Sequence, residues 1–448
     1  MTDSEIFLPA GFFMFRSPLL PVEYFLENCL KKVPEQIFSD YFSHSIVQEA
    51  ILLASPSLYF SLQENIQEKK VLFEKRFSSL LRYLIRMSTR ATPFGLFAAV
   101  GFGKIDQKTH ISLSAKKKFA RPNMQWLYEV ISSLEGDIKI LENCKVKANS
   151  PILDYAGRLF LPCSRNLEKM KHNERSIKKS VLTDFIIENS SKWILYKDLE
   201  NKLIKKFSSL SKEKLKIFLH GMFKNQFIIS ELIPNLLEDN PFVYFLSRLK
   251  NIDSQSESVF KSLNEYLKQY NATIPGHGLQ LLEKINALLY EIYPKKSKVD
   301  QKSIFVQVDT AFSSKNTLSH KVAEEAASAA SLIWKIDNSS SRKKNSDNYY
   351  SQFIEKYGTE QLVPFFDLIN ENIGLGIPAH YLSNKETFNY IEKKDSFEWF
   401  LSKKYQEAVY LGQKEVALID EEIQHYLKKK PQVTDIPTSL EIFCEILA

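Results

Sequence analysis

The sequence predicts an α+β fold made of mixed helical and small-sheet subdomains. Residues 64–90 contain no Gly or Pro and place apolar residues at helical spacing, which predicts one long helix. Pro93 ends this helix, because the residue before a proline avoids the α region, and the short alternating runs that follow contain glycines and predict strands. Further on, a run of predicted helices leads into a short strand, which is the element order of a winged helix.

Three segments can be distinguished along the chain, and they predict subdomains at residues 1–149, 150–235 and 236–448. The first contains the long helix, and the third is mainly helical with an exposed polar loop at residues 338–348. The middle segment has the winged-helix order. It is predicted to contain a hairpin at residues 152–162, helices at residues 176–188, 196–207 and 211–225, and a strand at residues 227–232.

The positive charge of the chain is concentrated in the middle segment. The formal net charge is +7, yet residues 165–224 alone hold fifteen Lys and Arg against seven Asp and Glu. One basic module therefore carries the charge, which predicts a partner with anionic groups. The alternative is a solvated, lysine-rich surface without a partner.

Several classes of protein are disfavoured by the motifs that the sequence lacks. The apolar N-terminal stretch is interrupted by Pro9, Arg16 and Pro18, and no apolar run reaches the ~20 residues of a spanning helix. These features predict a soluble, cytoplasmic protein. The eight histidines and four cysteines have no metal-ligand spacing, and nucleotide loops and nucleophile elbows are absent, so no metal is predicted.

Three arginines of the long helix form the clearest candidate site. Arg82, Arg86 and Arg90 recur at every fourth position, which places them on one stripe of the helix. Apolar residues that can anchor the helix fall on the opposite side: Leu80, Leu84 and Met87. Neighbouring guanidinium groups repel one another, so the stripe is stable only opposite anions. These anions are either acidic side chains of the protein or the phosphates of a ligand.

A carboxylate near the middle of the third segment is a second candidate. Asp309 ends an alternating run that predicts a strand, with Phe305, Gln307 and Asp309 on one face. Such a carboxylate could pair with the arginines or orient a reacting amine or hydroxyl. The alternative is the commoner role of an Asp in a turn or at a helix N-terminus.

The stretch RYLIRMSTRATPFGLFAAVGFG at residues 82–103 resembles the N-terminal domain of class I lantibiotic dehydratases. Four further stretches agree with this family in the same order. They are FRSP at residues 15–18, RPNMQWLY at residues 121–128, VQVD at residues 306–309, and VPFFDL with GLGIP at residues 363–378. The resemblance therefore covers essentially the whole chain, and the TPFGLF block is its most specific part.

The resemblance implies an enzyme that takes glutamate from glutamyl-tRNA and esterifies Ser or Thr hydroxyls of a ribosomal precursor peptide. A separate elimination domain then removes glutamate to leave a dehydrated residue. Glutamyl-tRNA is the implied co-substrate, and no cofactor is implied. The implied glutamylation residues are Arg16, Arg86, Arg90, Thr92 and Asp309, and the arginines implied to bind tRNA phosphate are Arg82, Arg86 and Arg90.

The resemblance also implies that the middle segment recognises the leader of the precursor peptide. In this family the leader adds as a strand to a sheet edge, and Phe218, Met222 and Ile228 are candidates for pocket walls, with plain core as the alternative. Further implied partners are a C-terminal dehydratase half or elimination-domain protein, a second copy in a homodimer, and a membrane synthetase complex with peripheral contact.

Two departures from the family leave alternative functions open. Asn123 stands where the family usually has Asp, so the site is expected to be altered there or to lack a structural pair. The family's glutamylation domain is about twice as long and continues into further arginines. The alternatives are therefore a non-catalytic leader-binding or scaffold subunit, and a peptide aminoacyl-tRNA ligase that never eliminates.

Overall fold

Helices dominate the computed structural model, and short strands lie between them. The structure describes residues 6–63, 70–114, 116–166, 171–235, 237–250, 252, 254–295, 303–336, 340–378, 397–419, 421–423 and 436–444. The strands are β1 (Phe12–Pro18), β2 (Ala98–Asp106), β3 (Lys116–Pro122), β4 (Lys145–Ala148), β5 (Leu153–Tyr155), β6 (Arg158–Asn166), β7 (Lys171–Lys178), β8 (Ile194–Leu195), β9 (Ile228–Ser230), β10 (Val306–Phe312) and β11 (Asn316–Ser319). The α+β prediction is confirmed.

The helices follow the same chain order. They are α1 (Val22–Asn28), α2 (Pro34–Ser43), α3 (Ser45–Ala54), α4 (Pro56–Gln63), α5 (Lys70–Thr89), α6 (Met124–Glu135), α7 (Ile138–Glu142), α8 (Val181–Asn189), α9 (Tyr196–Lys206), α10 (Lys212–Lys224), α11 (Pro241–Leu249), α12 (Ser254–Ala272), α13 (Leu279–Ile292), α14 (His320–Ile336), α15 (Ser340–Tyr357), α16 (Phe365–Leu368) and α17 (Phe397–Tyr410). In the described part of the chain, no helix is both long and apolar enough to cross a membrane.

The chain forms two compact units. The large unit comprises Met14–Gly103 and His110–Asn316, and the small unit comprises Met1–Phe13, Lys104–Thr109 and Thr317–Ala448. All the candidate site residues lie in the large unit. The three subdomains predicted from the sequence divide the chain by its order along the sequence, and they stay predictions.

The main sheet of the large unit has the strand order β1-β2-β10-β3, and β11 also pairs with β2. Strand β10 runs parallel to β2, with Ala311 beside Val100, and antiparallel to β3. Gly101 in β2 lies directly beneath the ring of Phe15 in β1, where an added Cβ atom would come within 2.1 Å of that ring. A side chain at this position would therefore require the Phe15 ring to move. That ring also stacks on the ring of Phe312, with the ring centroids 5.3 Å apart.

The middle segment contains two further small sheets. Strands β5, β6 and β7 form one, and β8, β4 and β9 form the other, with β4 in the centre. The predicted hairpin is confirmed: β5 and β6 are joined by Ala156 and Gly157, which both have positive φ, as a tight hairpin turn requires. Helices α8, α9 and α10 occur in the predicted order, and the winged-helix assignment itself stays a prediction.

The start of the first predicted helix in this segment was wrong. Residues 176–178 belong to strand β7, and α8 begins only at Val181. Ser180 caps α8 by accepting a hydrogen bond from the Thr183 amide, so the serine and not the apolar pattern sets the boundary. The predicted cap of α10 is confirmed, because Ser211 accepts from the Lys214 amide.

Two other predicted elements differ from the structure. The described part of the long helix begins at Lys70, and residues 64–69 of that prediction lie outside the described residues. The predicted polar loop at residues 338–348 was wrong from Ser340 onward, where α15 begins, while residues 338 and 339 are not described. Polar composition indicates exposure to water, but Lys and Arg also favour a helix, so composition alone could not exclude one.

A buried ion pair joins three elements of the large unit. Glu49 in α3 accepts a 2.7 Å hydrogen bond from the ammonium group of Lys118 in β3, and both side chains are 0% exposed. The hydroxyl of Tyr270 in α12 donates to the same carboxylate oxygen at 2.6 Å. The Lys118 ammonium group also lies 3.7 Å from the centroid of the Tyr270 ring.

Backbone groups complete this pair. The second oxygen of Glu49 accepts from the amides of Gly276 at 2.7 Å and Gly278 at 3.1 Å, and Lys118 also donates to the Thr273 hydroxyl. Gly278 is required, because an added Cβ atom would lie 2.5 Å from the Tyr270 ring and 2.6 Å from the Lys118 nitrogen. Burial lowers the pKa of Lys118, whereas the bond to Glu49 raises it. A satisfied buried pair of this kind specifies one arrangement of the elements that it joins.

We predict that Glu49→Gln lowers the free energy of unfolding by about 3–5 kcal/mol, because it leaves the buried Lys118 without its counter-charge. The measurement is urea denaturation followed by circular dichroism. Glu265→Gln is the matched control, since Glu265 pairs with Lys268 on the surface, and such pairs contribute less than about 1 kcal/mol. Equal losses in the two variants would contradict the importance of the buried pair.

Candidate functional site

The arginine stripe lies at the C-terminal end of α5. The apolar residues opposite it, Leu80, Leu84 and Met87, are buried, as predicted. Arg82 and Arg90 are exposed and Arg86 is half-buried. Arg90 lies just beyond the helix, where its amide donates to the Arg86 carbonyl at 3.1 Å. A positive charge is favourable at this end, because the last carbonyl groups of a helix carry partial negative charge.

Arg86 is held by an aromatic ring and not by a carboxylate. Its guanidinium carbon lies 5.1 Å from the centroid of the Phe94 ring, and Phe94 itself packs edge-on against buried Phe97. The Nε atom of Arg86 is buried and donates to no acceptor among the described residues. A buried donor without a partner costs about 1–3 kcal/mol, so the packing against Phe94 holds Arg86 in place without a hydrogen bond to its Nε atom.

The described residues offer the stripe no acidic partner. Arg82 donates to the Ser78 hydroxyl at 3.2 Å, and in this part of the chain neither it, Arg86 nor Arg90 forms an ion pair. The sequence left two possible partners for the arginines, namely acidic side chains of the protein and the phosphates of a ligand. The described residues do not show the first. An anionic ligand remains as the partner that the stripe would suit.

Thr92 lies exposed in the loop between α5 and β2. Pro93 follows it, and the loop is fixed to the main sheet because the hydroxyl of Thr310 in β10 donates to the Gly95 carbonyl at 3.1 Å. Gly95 has a φ of +57°, a conformation that favours glycine. The TPFGLF block thus connects the arginine helix to the strand that carries Asp309.

The side chains of four strands form an exposed surface, which we call the open sheet face. Alternate residues of each strand point to it, as the pleat requires. Its members are Met14, Arg16, Val100, Phe102, Gln307, Asp309, Ala311, Lys117, Phe119 and Arg121. Two candidate residues far apart in sequence, Arg16 and Asp309, therefore share one surface.

Asp309 lies in the middle of β10 and not at its end, because the strand continues to Phe312. Gln307 shares its exposed face as predicted, but Phe305 precedes the strand and is buried. Of the possibilities left open for Asp309, pairing with the helix arginines is not seen among the described residues. Its carboxylate instead accepts a 2.5 Å hydrogen bond from the guanidinium group of Arg121 in β3.

Arg121 is the residue of this surface that sequence reasoning missed. It lies diagonal to Asp309, since the register pairs Asp309 with Phe119 and Gln307 with Arg121. The signal was present in the run Lys116–Pro122, where residues 117, 119 and 121 alternate with buried ones. The pairing across strands could not be read from that run, because it depends on the register.

Asn123 has a structural role at the start of α6. Its side-chain oxygen accepts from the Trp126 amide at 2.8 Å, which caps the helix, and its own amide donates to the Phe305 carbonyl at 2.7 Å. Asn and Asp are equally good caps, so the departure from the family removes a charge but keeps this bond.

The candidate leader-binding residues differ in exposure. Met222 in α10 and Ile228 in β9 are buried in the hydrophobic core, whereas Phe218 in α10 is half-buried and packs against that core. Contact with a peptide stays a prediction for all three, and Phe218 is the one whose ring reaches the surface.

We predict that Asn123→Ala lowers the free energy of unfolding by about 1 kcal/mol, because the first turn of α6 loses its acceptor. Asn123→Asp should leave stability unchanged within about 0.5 kcal/mol, since the carboxylate caps equally well. Chemical denaturation of both variants beside the wild type is the measurement. An equal loss for Asp and Ala would show that the cap is not what Asn123 contributes.

Comparisons with known proteins agree on one family. Residues 43–448 match the family described as Lantibiotic dehydratase, N terminus. The epidermin biosynthesis protein EpiB of Staphylococcus epidermidis is 29% identical over 455 residues, which cover 99% of this chain and 44% of EpiB. The nisin biosynthesis protein NisB of Lactococcus lactis is 25% identical, over 92% of this chain and 41% of NisB. The chain thus spans less than half the length of these relatives.

Solved structures show the same fold. The tRNA-dependent lantibiotic dehydratase MibB from Microbispora sp. 107891 superimposes with a TM-score of 0.72 at 23% identity, over 96% of this chain and 41% of MibB. The glutamylation domain of TbtB, from thiomuracin biosynthesis, gives a TM-score of 0.61 at 11% identity, over 90% of this chain and 51% of that one. On the match over residues 43–448, this chain belongs to the lantibiotic dehydratase family and corresponds to its N-terminal part.

Proposed function

We propose that this chain takes part in the tRNA-dependent glutamylation of Ser and Thr in a ribosomal precursor peptide, the first step of dehydration in lanthipeptide biosynthesis. The observation that carries the proposal is the arginine helix, which has no acidic partner among the described residues of a chain of this family. The relatives support it, since MibB is named as a tRNA-dependent dehydratase and TbtB as containing a glutamylation domain.

The proposed reaction is an ester exchange. The hydroxyl oxygen of a peptide Ser or Thr attacks the carbonyl carbon of the glutamyl group on the tRNA. The bond from that carbon to the 3′-terminal ribose oxygen breaks, and this oxygen leaves with the proton that the hydroxyl gives up. The product is a glutamyl ester of the peptide, from which an elimination domain would later remove glutamate.

Each candidate residue fits one need of this exchange. Arg86 and Arg90 would bind the phosphates of the tRNA end or the carboxylate of the glutamyl group, because a guanidinium forms paired, charge-assisted hydrogen bonds with such anions. Thr92 stands beside them in the loop. Asp309, held by Arg121, would orient the reacting hydroxyl or the amine of the glutamyl group, and Arg16 lies on the same open sheet face.

The middle segment is proposed to bind the leader of the precursor. Strand β7 forms one edge of its sheet, so an extended peptide can add there through main-chain hydrogen bonds. The excess of Lys and Arg at residues 165–224 suits acidic residues in that leader. Phe218 is the proposed contact from α10, because its side chain is half-buried whereas Met222 and Ile228 are buried.

A further partner is part of the proposal, because the chain spans 44% of EpiB and 41% of NisB. The remaining length of such relatives, or a separate elimination-domain protein, would complete the reaction. Glutamyl-tRNA and nascent precursor peptides are cytoplasmic molecules, so we expect the chain to act in the cytoplasm.

We predict that Arg86→Ala and Arg90→Ala each lower glutamyl transfer roughly tenfold or more, since each removes a charge-assisted contact of about 1.5–3 kcal/mol. The assay combines the chain, the C-terminal dehydratase half, the precursor peptide and glutamyl-tRNA. Mass spectrometry follows the mass of one added glutamyl residue and the loss of one water. Arg248→Ala is the matched control, because Arg248 also lies over an aromatic ring, 5.0 Å from the centroid of Tyr244.

Transfer that is unaffected by both site variants would refute these roles. Leader binding without any transfer would favour the scaffold or leader-binding function instead. A lasting amino-acid addition at the peptide C-terminus, without elimination, would favour the peptide aminoacyl-tRNA ligase.

We predict that Phe218→Ala weakens leader binding severalfold, because it removes the partly exposed ring on α10, whereas Ile217→Ala on the same helix has little effect. Ile217 is a suitable control because it is the adjacent residue of α10, and its side chain points about 100° away from that of Phe218 around the helix axis. Fluorescence anisotropy with the labelled leader of a precursor peptide that the wild type binds gives both dissociation constants. Equal affinities for the two variants would remove Phe218 from the proposed surface.

A further inference from the structure

Strand β3 presents an alternation of basic and aromatic side chains to the outside. Lys117, Phe119 and Arg121 point to the open sheet face, while the residues between them are buried. Phe119 is 50% exposed although it lies in a paired strand of the main sheet. Aromatic rings that stand on a sheet between basic side chains are the elements from which single-stranded nucleic-acid sites are built.

A second ring stands on the same face two strands away. Phe102 in β2 is 62% exposed. The register sets Val100 beside Ala311 and Phe119 beside Asp309, so Phe102 lies four positions further along the sheet than Phe119. With ~3.3 Å per residue and ~4.8 Å between strands, the two Cα atoms are about 16 Å apart. Stacked nucleotides advance by about 3.4 Å, so this distance spans a few of them.

The charge of this surface is positive. Arg16, Lys117 and Arg121 contribute three positive charges, and the one carboxylate among its members, Asp309, is paired with Arg121. Such a surface attracts a phosphate backbone, while the rings offer flat partners for bases. An apolar peptide strand bound at this surface would need neither flat aromatic rings nor positive charges.

We propose that Phe102 and Phe119 form a stacking platform for the unpaired 3′ end of glutamyl-tRNA, with Lys117 and Arg121 beside its phosphates. The inference rests on the proposed function and adds to it the two rings that would position the end of the RNA. Neither Phe102 nor Phe119 is among the residues to which the family resemblance assigns a role in glutamylation or tRNA binding. They are positioning residues, since they would hold bases and not the reacting ester.

Binding of two fluorescein-labelled RNA minihelices to the full chain tests the platform. One minihelix ends in single-stranded ACCA and the other is blunt, and fluorescence anisotropy at one fixed salt concentration gives the dissociation constants. The wild type should bind the overhanging minihelix more tightly than the blunt one. Phe119→Leu and Phe102→Leu should each weaken binding of the overhanging minihelix by roughly tenfold, because stacking on one base contributes about that factor. Binding of the blunt minihelix should not change.

Two variants separate stacking from other effects. Phe119→Tyr keeps a flat ring and should retain the wild-type affinity within about twofold, because stacking tolerates the added hydroxyl. Phe366→Leu replaces an 81% exposed phenylalanine of the small unit and should leave both affinities unchanged. Circular dichroism of each variant checks that the fold is intact.

Several results would overturn the platform. The leucine variants could bind the overhanging minihelix as tightly as the wild type does, while Arg86→Ala and Arg90→Ala still weaken that binding. This result would refute the role of the rings and leave tRNA as the co-substrate. Equal binding of overhanging and blunt minihelices by the wild type would also refute it. Absence of binding to both would count against glutamyl-tRNA as co-substrate, and the platform would fall with it. Displacement of the RNA by a precursor peptide from the Phe119 surface would assign that surface to the peptide.

Discussion

The buried pair of Glu49 and Lys118 is the interaction on which the arrangement of the large unit depends. It joins a helix, a strand of the main sheet and the turn before α13, and every oxygen of the carboxylate is satisfied. Two unpaired charges at this depth would cost several kcal/mol each, so alternatives that separate them are strongly disfavoured. The pair therefore selects one position for β3 relative to α3 and α12.

That position determines what the protein exposes. Lys118 points inward, and side chains alternate between the two faces of a strand. Phe119 and Arg121 therefore both point outward, Phe119 beside Asp309 and Arg121 beside Gln307. A shift by one residue would bury Arg121 and expose Lys118, which would remove the partner of Asp309. The buried pair and the ion pair on the open sheet face are thus two consequences of one register.

The arginine helix and the open sheet face lie in the same unit and are connected through the chain. The arginine helix leads through the loop of Thr92 and Phe94 into β2, and Thr310 ties that loop to the strand of Asp309. The helix supplies cations without acidic partners among the described residues, and the sheet supplies a carboxylate already held by Arg121. An aminoacylated RNA end has the complementary chemistry, because it combines phosphates, a carboxylate and exposed bases.

The sequence by itself determined the α+β class, the anchored arginine helix, the cap at Ser211 and the family, because each rests on local periodicity, a local hydrogen bond or an ordered set of short motifs. It did not determine the start of α8 or the helix at Ser340, where polar residues are compatible with more than one backbone. Only the tertiary structure decided that Asp309 pairs with Arg121, and that Met222 and Ile228 are buried while Phe102 and Phe119 are exposed. The physical reason is that these outcomes depend on strand register and on which elements pack over a side chain, and both are set by contacts between residues far apart in the chain.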